Sequence, residues 1–258
     1  MIELAWGALT HSGRLRRGNE DAHLAAPPVF VVADGMGGHA AGEVASQIAV
    51  EQFRAFTAGG PFAIADVARA ISAANDAIIA ASAANDGHTG MGSTVVGLVA
   101  IEQGGTPFWL AFNIGDSRLY RMWEGGLTQI SVDHSYVQEL VSSGRLSSAA
   151  AREHPERNIV TRALGHATDS EPDFWMMAPE AGERFLLCSD GLPGDVETAR
   201  IHEILLEVDD PAEAAADLLA AALDAGGRDN ITVVVVDVRR VHEGVLETTT
   251  PRGPIEHG

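Results

Sequence analysis

The sequence has a single cysteine, Cys188, among 258 residues. One thiol excludes an internal disulfide and any metal site built from several cysteines. A thiolate that attacks phosphate esters lies in a loop closed by an arginine six residues later, and that position is Gly194. Since Cys188 lies within an apolar run, we expect it to be a small buried hydrophobe.

Long apolar runs are also missing. No stretch approaches the roughly 20 residues that a membrane helix needs. The segment Met1-Ile2-Glu3-Leu4 lacks the cationic start and apolar core of a signal peptide. With 46% hydrophobic and 21% charged residues, the composition is that of a globular protein. We therefore predict a cytoplasmic protein that has no membrane partner.

Cations are scarce: 17 Lys and Arg stand against 36 Asp and Glu, for a net charge of −19. This balance repels nucleic acid and anionic membranes, so neither is an expected partner. It also repels phosphorylated molecules unless cations intervene locally. We expect a monomer.

Four aspartates stand at the ends of apolar, strand-like runs. Asp34 and Asp190 are each followed by glycine, Asp116 follows Gly115, and Asp229 precedes the run from 231 to 236. An isolated Asp-Gly is an ordinary turn. If the four run ends converge, however, they form an all-oxygen site for hard divalent cations. The pattern therefore predicts metal-assisted chemistry on phosphate.

Three further features have competing interpretations. The loop Gly35-Met36-Gly37-Gly38 lacks the lysine of a nucleotide-binding P-loop, so we interpret it as backbone that approaches a metal. Arg16 is either a phosphate-binding cation or an ordinary surface residue. His39 is either a proton donor at neutral pH or a surface histidine.

The apolar pattern predicts an α+β fold, with strand-rich halves and helices between and after them. A polar insertion is predicted at about 133–162, and a polar tail follows residue 240. The runs at 93–101, 107–114 and 118–123 are predicted to form one antiparallel meander. The other predicted elements are strands at 3–9, 185–189 and 231–238, and helices after 40, at 64–84 and from Pro211.

Together these segments resemble the metal-dependent protein serine/threonine phosphatases of the PPM or PP2C type, in their bacterial form. The resemblance covers about residues 5–238, in the family's order. The matching segments are RRGNED at 16–21, VADGMGGHAAGEVAS at 32–46, GSTV at 92–95, NIGDSRLYR at 113–121, DHSYVQEL at 133–140, HPERNIVTRALG at 154–165, LCSDGL at 187–192 and RDNITVV at 228–234.

The resemblance implies a four-layer α-β-β-α sandwich of two antiparallel sheets flanked by helices, forming one catalytic domain over 1–240. It implies hydrolysis of phosphoserine and phosphothreonine on proteins by a metal-activated water, without a phosphoenzyme intermediate. Expected partners are phosphorylated proteins, including a Ser/Thr protein kinase whose signal is reversed. The alternative is a phosphoprotein-binding pseudophosphatase without turnover.

The resemblance also implies a role for individual residues. Asp34 would bridge two Mn²⁺ or Mg²⁺ ions, and Asp190 and Asp229 would complete the first site. The Gly35 carbonyl would bind the second ion, and Asp21 and Glu20 would hold water near it. The remaining roles are a third, weaker ion at Asp116 with Asp190, substrate phosphate at Arg16, and a mobile flap at about 133–162.

The sequence departs from the family pattern at two places. Met36 stands where many eukaryotic members have a histidine proposed as general acid, so His39 or metal-bound water is left as proton donor. Pro193-Gly194-Asp195 replaces the commoner Thr-Asp or Trp-Asp after Gly-Leu. We expect this change to reshape a loop near Asp190.

Overall fold

The computed structural model describes residues 2–37, 40–166 and 171–241. The predicted tail at 241–258 lies outside them except for Val241. The strands are β1 Ile2–His11, β2 Asp21–Ala26, β3 Val29–Met36, β4 Gly92–Ser93, β5 Val95–Gln103, β6 Thr106–Ile114, β7 Arg118–Trp123, β8 Gly126–Gln129, β9 Asp173–Met177, β10 Arg184–Cys188 and β11 Ile231–Val241. The α-helices are α1 Ala40–Glu51, α2 Ile64–Ala84, α3 Tyr136–Ser142, α4 Ser148–Arg152, α5 Gly191–Asp195, α6 Thr198–Glu207 and α7 Pro211–Asp224.

The strands form two antiparallel sheets. One has the order β1-β11-β10-β7-β8, and the other has the order β2-β3-β5-β6-β9, with β4 paired to β3. Helices α1 and α2 pack on the second sheet, and α6 and α7 pack on the first. The predicted α-β-β-α sandwich is confirmed.

The side chains of β3 point alternately into the core between the two sheets and into the core beneath the helices. Phe30 and Val32 face the other sheet, where they share a core with residues such as Phe185 and Val234. Val31, on the opposite face, packs in the core that contains the helices α1 and α2. Successive side chains of a strand point to opposite faces, so a strand covered on both faces is apolar throughout. This is why the sequence shows a continuous run here.

Local signals predicted two helices closely. Helix α2 spans the predicted range of 64–84, and the Asp66 carboxylate accepts a hydrogen bond from Ala63 N–H at 2.8 Å. Helix α7 begins at Pro211, with the Asp210 side chain accepting from Ala212 N–H at 2.8 Å and Glu213 N–H at 3.0 Å. These are the N-terminal contacts that such residues favour.

The predicted three-stranded meander is wrong. Strands β5 and β6 pair with each other, but β7 pairs with β10 and β8 in the other sheet. The chain crosses between the sheets at Gly115, whose positive φ of 106° suits glycine. Apolar alternation does not reveal this crossing, because a meander and a sheet change give the same pattern. As a result Asp116 lies at the junction of the two sheets.

Among the described elements, β2, β8, β9, α4, α5 and α6 were not predicted. Strand β2 matters most, because its register places Asp21 opposite Asp34 of β3. Of the predicted insertion, α3 and α4 lie outside both sheets. Among the described residues no helix is long and apolar enough to cross a membrane.

Candidate active site

Five aspartates converge at one end of the sandwich. Asp21 and Asp34 face each other across β2 and β3, Asp116 lies at the sheet crossing, Asp190 follows β10 and Asp229 precedes β11. The side chains of Asp34 and Asp190 are close enough to influence each other's protonation. The charges of the other four all act on Asp34. The structure therefore brings together the carboxylates that the sequence indicated.

Burial is the main electrostatic feature of this cluster. It raises the pKa of Asp34 well above its ordinary value, with the charge of Asp21 as the next cause. Burial and the charge of Asp190 raise the pKa of Asp116 in the same way. Burial, then the charge of Asp229, raises the pKa of Asp190 to about 6. Clustered buried carboxylates of this kind are costly unless cations compensate them.

The two carboxylate oxygens of Asp21 differ in their hydrogen bonding. Its Oδ2 accepts hydrogen bonds of 2.7 Å from both Ser189 Oγ and Thr232 Oγ1. Its Oδ1 is buried and has no hydrogen-bond partner among the described residues. Burial raises the pKa of this carboxyl to about 7 despite the two hydroxyl donors. An oriented but unsatisfied oxygen fits a cation or its bound water.

The hydroxyl groups of Ser93, Thr94 and Ser117 support Asp34. Its backbone N–H donates to Thr94 Oγ1 at 3.0 Å, and Thr94 Oγ1 in turn lies 2.7 Å from Ser117 Oγ. Ser93 Oγ donates to the Asp34 carbonyl at 3.1 Å. The segment GSTV at 92–95 was part of the resemblance, but no residue chemistry in it indicated this role.

Close packing explains why glycine stands at positions 35 and 42. A Cβ on Gly35 would lie 1.9 Å from the Gly42 carbonyl oxygen in the first turn of α1. Gly35 N–H donates to the Glu20 carbonyl at 3.1 Å, and a Cβ on Gly42 would lie 2.2 Å from Glu20 Oε2. The segment around Glu20, the end of β3 and α1 are thus pressed together. A ligand role for the Gly35 carbonyl stays a prediction.

Arg16 and Asp229, the proposed phosphate-binding and metal-binding residues, contact each other. Arg16 Nη2 donates to Asp229 Oδ2 at 2.7 Å, and Asn230 N–H donates to Asp229 Oδ1 at 2.8 Å. The Arg16 side chain is 56% exposed. An exposed guanidinium paired with a carboxylate at the site can exchange partners when a substrate anion arrives.

Asn230 joins two distant segments of the site. Its Oδ1 accepts from Glu20 N–H at 2.8 Å, and its Nδ2 donates to the carbonyls of Ser12 and Gly18 at 2.9 Å. This side chain therefore fixes the Arg16–Asp21 segment against the loop that carries Asp229. From the sequence alone, Asn230 was interpreted only as the residue that follows Asp229.

Two adjoining cavities open at the cluster. One of about 200 Å³ is lined by residues that include Arg16, Arg157, Asp190 and Asp229. The other, of about 830 Å³, extends from Asp116 between α3–α4 and α5–α6. The predicted insertion thus borders the site. In the described part of the chain, no three carboxylate, imidazole or thiol groups are close enough together to coordinate one metal ion. His39 lies outside the described residues.

Comparison with known proteins identifies the family. The family model for protein phosphatase 2C matches residues 16–225. The chain is 42% identical over 240 residues to serine/threonine protein phosphatase PstP of Mycobacterium tuberculosis, covering 92% of this chain and 45% of PstP. It is 34% identical to serine/threonine phosphatase stp of Listeria innocua, covering 91% of this chain and 96% of that relative. The chain therefore belongs to the protein phosphatase 2C family.

A solved structure supports the same assignment. The catalytic domain of PstP in complex with two manganese ions superposes with a TM-score of 0.85 at 37% identity, covering 93% of this chain and all of that one. The chain spans less than half of full-length PstP but nearly all of the Listeria relative. The predicted family is confirmed.

Proposed function

We propose that this protein is a metal-dependent serine/threonine phosphatase that hydrolyses phosphoserine and phosphothreonine on proteins. The observation that carries the proposal is the cluster of five aspartates, whose burial and mutual repulsion raise the pKa values of Asp21, Asp34, Asp116 and Asp190. Membership of the family and the named activity of its relatives agree with it.

The donors present fit hard divalent cations. All are oxygens, and the unsatisfied Asp21 Oδ1 is available to bound water. Asp34, Asp190 and Asp229 would hold one ion, and Asp34 with the Gly35 carbonyl a second. Water would complete the coordination, because the carboxylates of the described residues do not by themselves surround one ion position. Such ions would lower the pKa of water and offset charge on the phosphate oxygens.

We extend the proposal to the finer roles predicted from the sequence. Mn²⁺ is the preferred candidate over Mg²⁺, because the PstP catalytic domain was solved with manganese. Asp116, close to Asp190, is assigned to a third, weaker ion. The proton for the leaving alkoxide comes from His39 or from water. Cytoplasmic location, a monomeric state and a kinase partner stay predictions.

Arg16 acts on the substrate in this scheme. With the Asp229 carboxylate engaged by a cation, the exposed Arg16 guanidinium would be able to exchange this contact for a substrate phosphate. This guanidinium lies beside the cavity that would receive the phosphate. Two parallel N–H donors match two phosphate oxygens, which orients the ester for attack.

The relatives described above are named as phosphatases. The alternative of a phosphoprotein-binding module without turnover therefore has no support, and we do not adopt it.

The test is phosphate release from a phosphothreonine peptide by EDTA-treated protein, with Mn²⁺ or Mg²⁺ titrated back. We expect activity to return with metal in the wild type and in Asp217→Asn, an exposed carboxylate of α7. We expect Asp34→Asn to lose at least about 100-fold of activity. Mn²⁺ binding by calorimetry without any turnover would overturn the proposal in favour of a binding module.

A further inference from the structure

Asp195 is a buried carboxylate at the place where this sequence departs from the family pattern. Its side chain is 2% exposed. It lies at the end of α5, and its contacts are with Arg228, the residue directly before Asp229. The proposed function assigns no role to either residue of this pair.

The two oxygens of Asp195 contact different parts of Arg228. Oδ1 accepts from the Arg228 Nε at 2.5 Å, and Oδ2 accepts from the Arg228 backbone N–H at 2.9 Å. The guanidinium also donates from Nη2 to the Gly194 carbonyl at 2.7 Å. Three hydrogen bonds therefore fix both the side chain and the peptide unit of the residue before Asp229.

The other side of this loop is held as well. Arg14 N–H donates to the Gly227 carbonyl at 2.7 Å. A Cβ on Gly13 would lie 2.1 Å from the Asp229 carbonyl oxygen, so the two backbones are in close contact. Asp229 thus enters the site from a loop clamped between the Gly13 segment and Asp195.

We propose that Asp195 and Arg228 form a brace that positions the Asp229 carboxylate for cation binding. The brace rests on the proposed function, because it needs Asp229 to be a ligand. Both are positioning residues, since neither has to touch the cation. Groups that orient metal ligands commonly change metal affinity by about 10- to 100-fold when they are removed.

For Arg228→Ala, electrostatic attraction alone predicts the opposite change in Mn²⁺ affinity. Arg228 is a cation beside the cluster, so its loss should strengthen the attraction of Mn²⁺ if only Coulomb forces act. Under the brace, the same loss frees the Asp229 loop and weakens binding. Arg228→Ala leaves the buried Asp195 carboxylate without its guanidinium partner, so we expect a lower melting temperature and compare Mn²⁺ affinity well below the unfolding transition.

The experiment is calorimetric titration of Mn²⁺ into the EDTA-treated full chain, as wild type, Asp195→Ala, Arg228→Ala and the double variant. We expect each single variant to bind Mn²⁺ about tenfold more weakly. We expect the double variant to be no weaker than the worse single one, because both act through the same contact. At saturating Mn²⁺, the kcat on a phosphothreonine peptide should recover.

The matched control is Arg121→Ala. Arg121 Nε donates to the buried Glu183 at 2.7 Å, so this variant also removes the arginine from a buried carboxylate, but in a contact outside the aspartate cluster. It should lower the melting temperature without changing Mn²⁺ affinity. Should Asp195→Ala fail to fold, Asp195→Asn keeps one acceptor oxygen and takes its place.

Unchanged or tighter Mn²⁺ binding by Arg228→Ala, in a wild type that binds Mn²⁺, would overturn the brace alone. A wild type that binds no Mn²⁺ would overturn the proposed function and the brace with it. The two failures are therefore distinguishable.

Discussion

At the scale of single residues, Asp21 shows what burial does to one carboxyl group. Its pKa is about 7 in the folded chain against an ordinary value of 3.8, with burial as the cause. The folded state therefore holds this proton more tightly than the unfolded state does. By linkage, the stability from this group is fully present below its ordinary pKa and is lost as the pH rises to about 7.

We accordingly expect the EDTA-treated protein to become less stable as the pH rises from about 4 to about 7, by a few kcal/mol. Urea unfolding at several pH values measures this. The Asp21→Asn variant should show a shallower dependence, because it cannot release that proton. Saturating Mn²⁺ should also flatten the curve, by compensating the charge. An equally steep curve for Asp21→Asn would contradict the assignment.

Arg16 and its neighbour Arg17 allow a second test at this scale. Arg16→Ala should raise KM for a phosphothreonine peptide by about 10- to 100-fold, since a hydrogen bond to a charged group contributes about 1.5–3 kcal/mol. Arg17→Ala is the control, because Arg17 is exposed. Arg16→Ala should also bind Mn²⁺ more tightly, having lost the partner of Asp229. Steady-state kinetics and calorimetry measure the two effects. Equal KM values for the two variants would exclude Arg16 from phosphate binding.

Four of the five aspartates could be predicted because each stands beside an apolar run, whereas Asp21 was indicated only by the family resemblance. The long-range contacts that orient these carboxylates could not be predicted. Thr232 and Ser189 contact Asp21 across 211 and 168 residues of sequence. Small hydroxyl residues are common in turns, so no local pattern separates these two from the rest.

At the scale of elements, prediction succeeded where the chain carries its own signals. Helix α2 has an apolar face over many turns, and α7 begins with Asp210 and Pro211. Prediction failed where pairing between distant strands determines the structure. Strand β7 directly follows β6 in the chain, but it pairs with β10, more than 60 residues later. The short strand β2 is defined mainly by its register with β3.

The contact between β3 and α1 leads to a third prediction. Gly35→Ala should destabilise the fold by about 3 kcal/mol or more, because its Cβ would lie 1.9 Å from backbone of Gly42 that cannot easily move. Gly18→Ala is the control, since no atom lies within 4 Å of its Cβ position. Guanidinium unfolding measures both. A Gly35→Ala protein as stable as Gly18→Ala would mean that α1 is not pressed against this strand.

At the scale of the whole molecule, the net charge affects how a substrate reaches the site at one end of the sandwich. A net charge of −19 opposes the approach of a phosphorylated protein. Three arginines nevertheless line the smaller cavity, namely Arg16, Arg157 and Arg228. With cations bound among the aspartates, this cavity becomes locally positive on an acidic surface. Under the proposed function, the site would depend on metal for attraction as well as for chemistry.

Away from the site, Arg184 connects one sheet to the helices that cover it. This buried side chain donates to both oxygens of Asp237 at 2.6 and 2.9 Å, joining β10 to β11. It also donates to the carbonyls of Leu205 and Val208, at the end of α6. One guanidinium therefore connects the first sheet to the helices that cover it.

We expect Arg184→Met to destabilise the fold by about 3–5 kcal/mol, because it leaves the buried Asp237 carboxylate without its main partner. Arg239→Ala is the matched control. Arg239 also lies 2.9 Å from Asp237 but is 47% exposed, so its loss should cost at most about 1 kcal/mol. The double variant Arg184→Met with Asp237→Leu should recover part of the loss, since no buried charge is then left unpaired. Urea unfolding measures all three, and Mn²⁺ affinity should stay unchanged in each. A double variant as unstable as Arg184→Met would show that the carbonyl contacts at the end of α6, rather than the ion pair, hold the layers together.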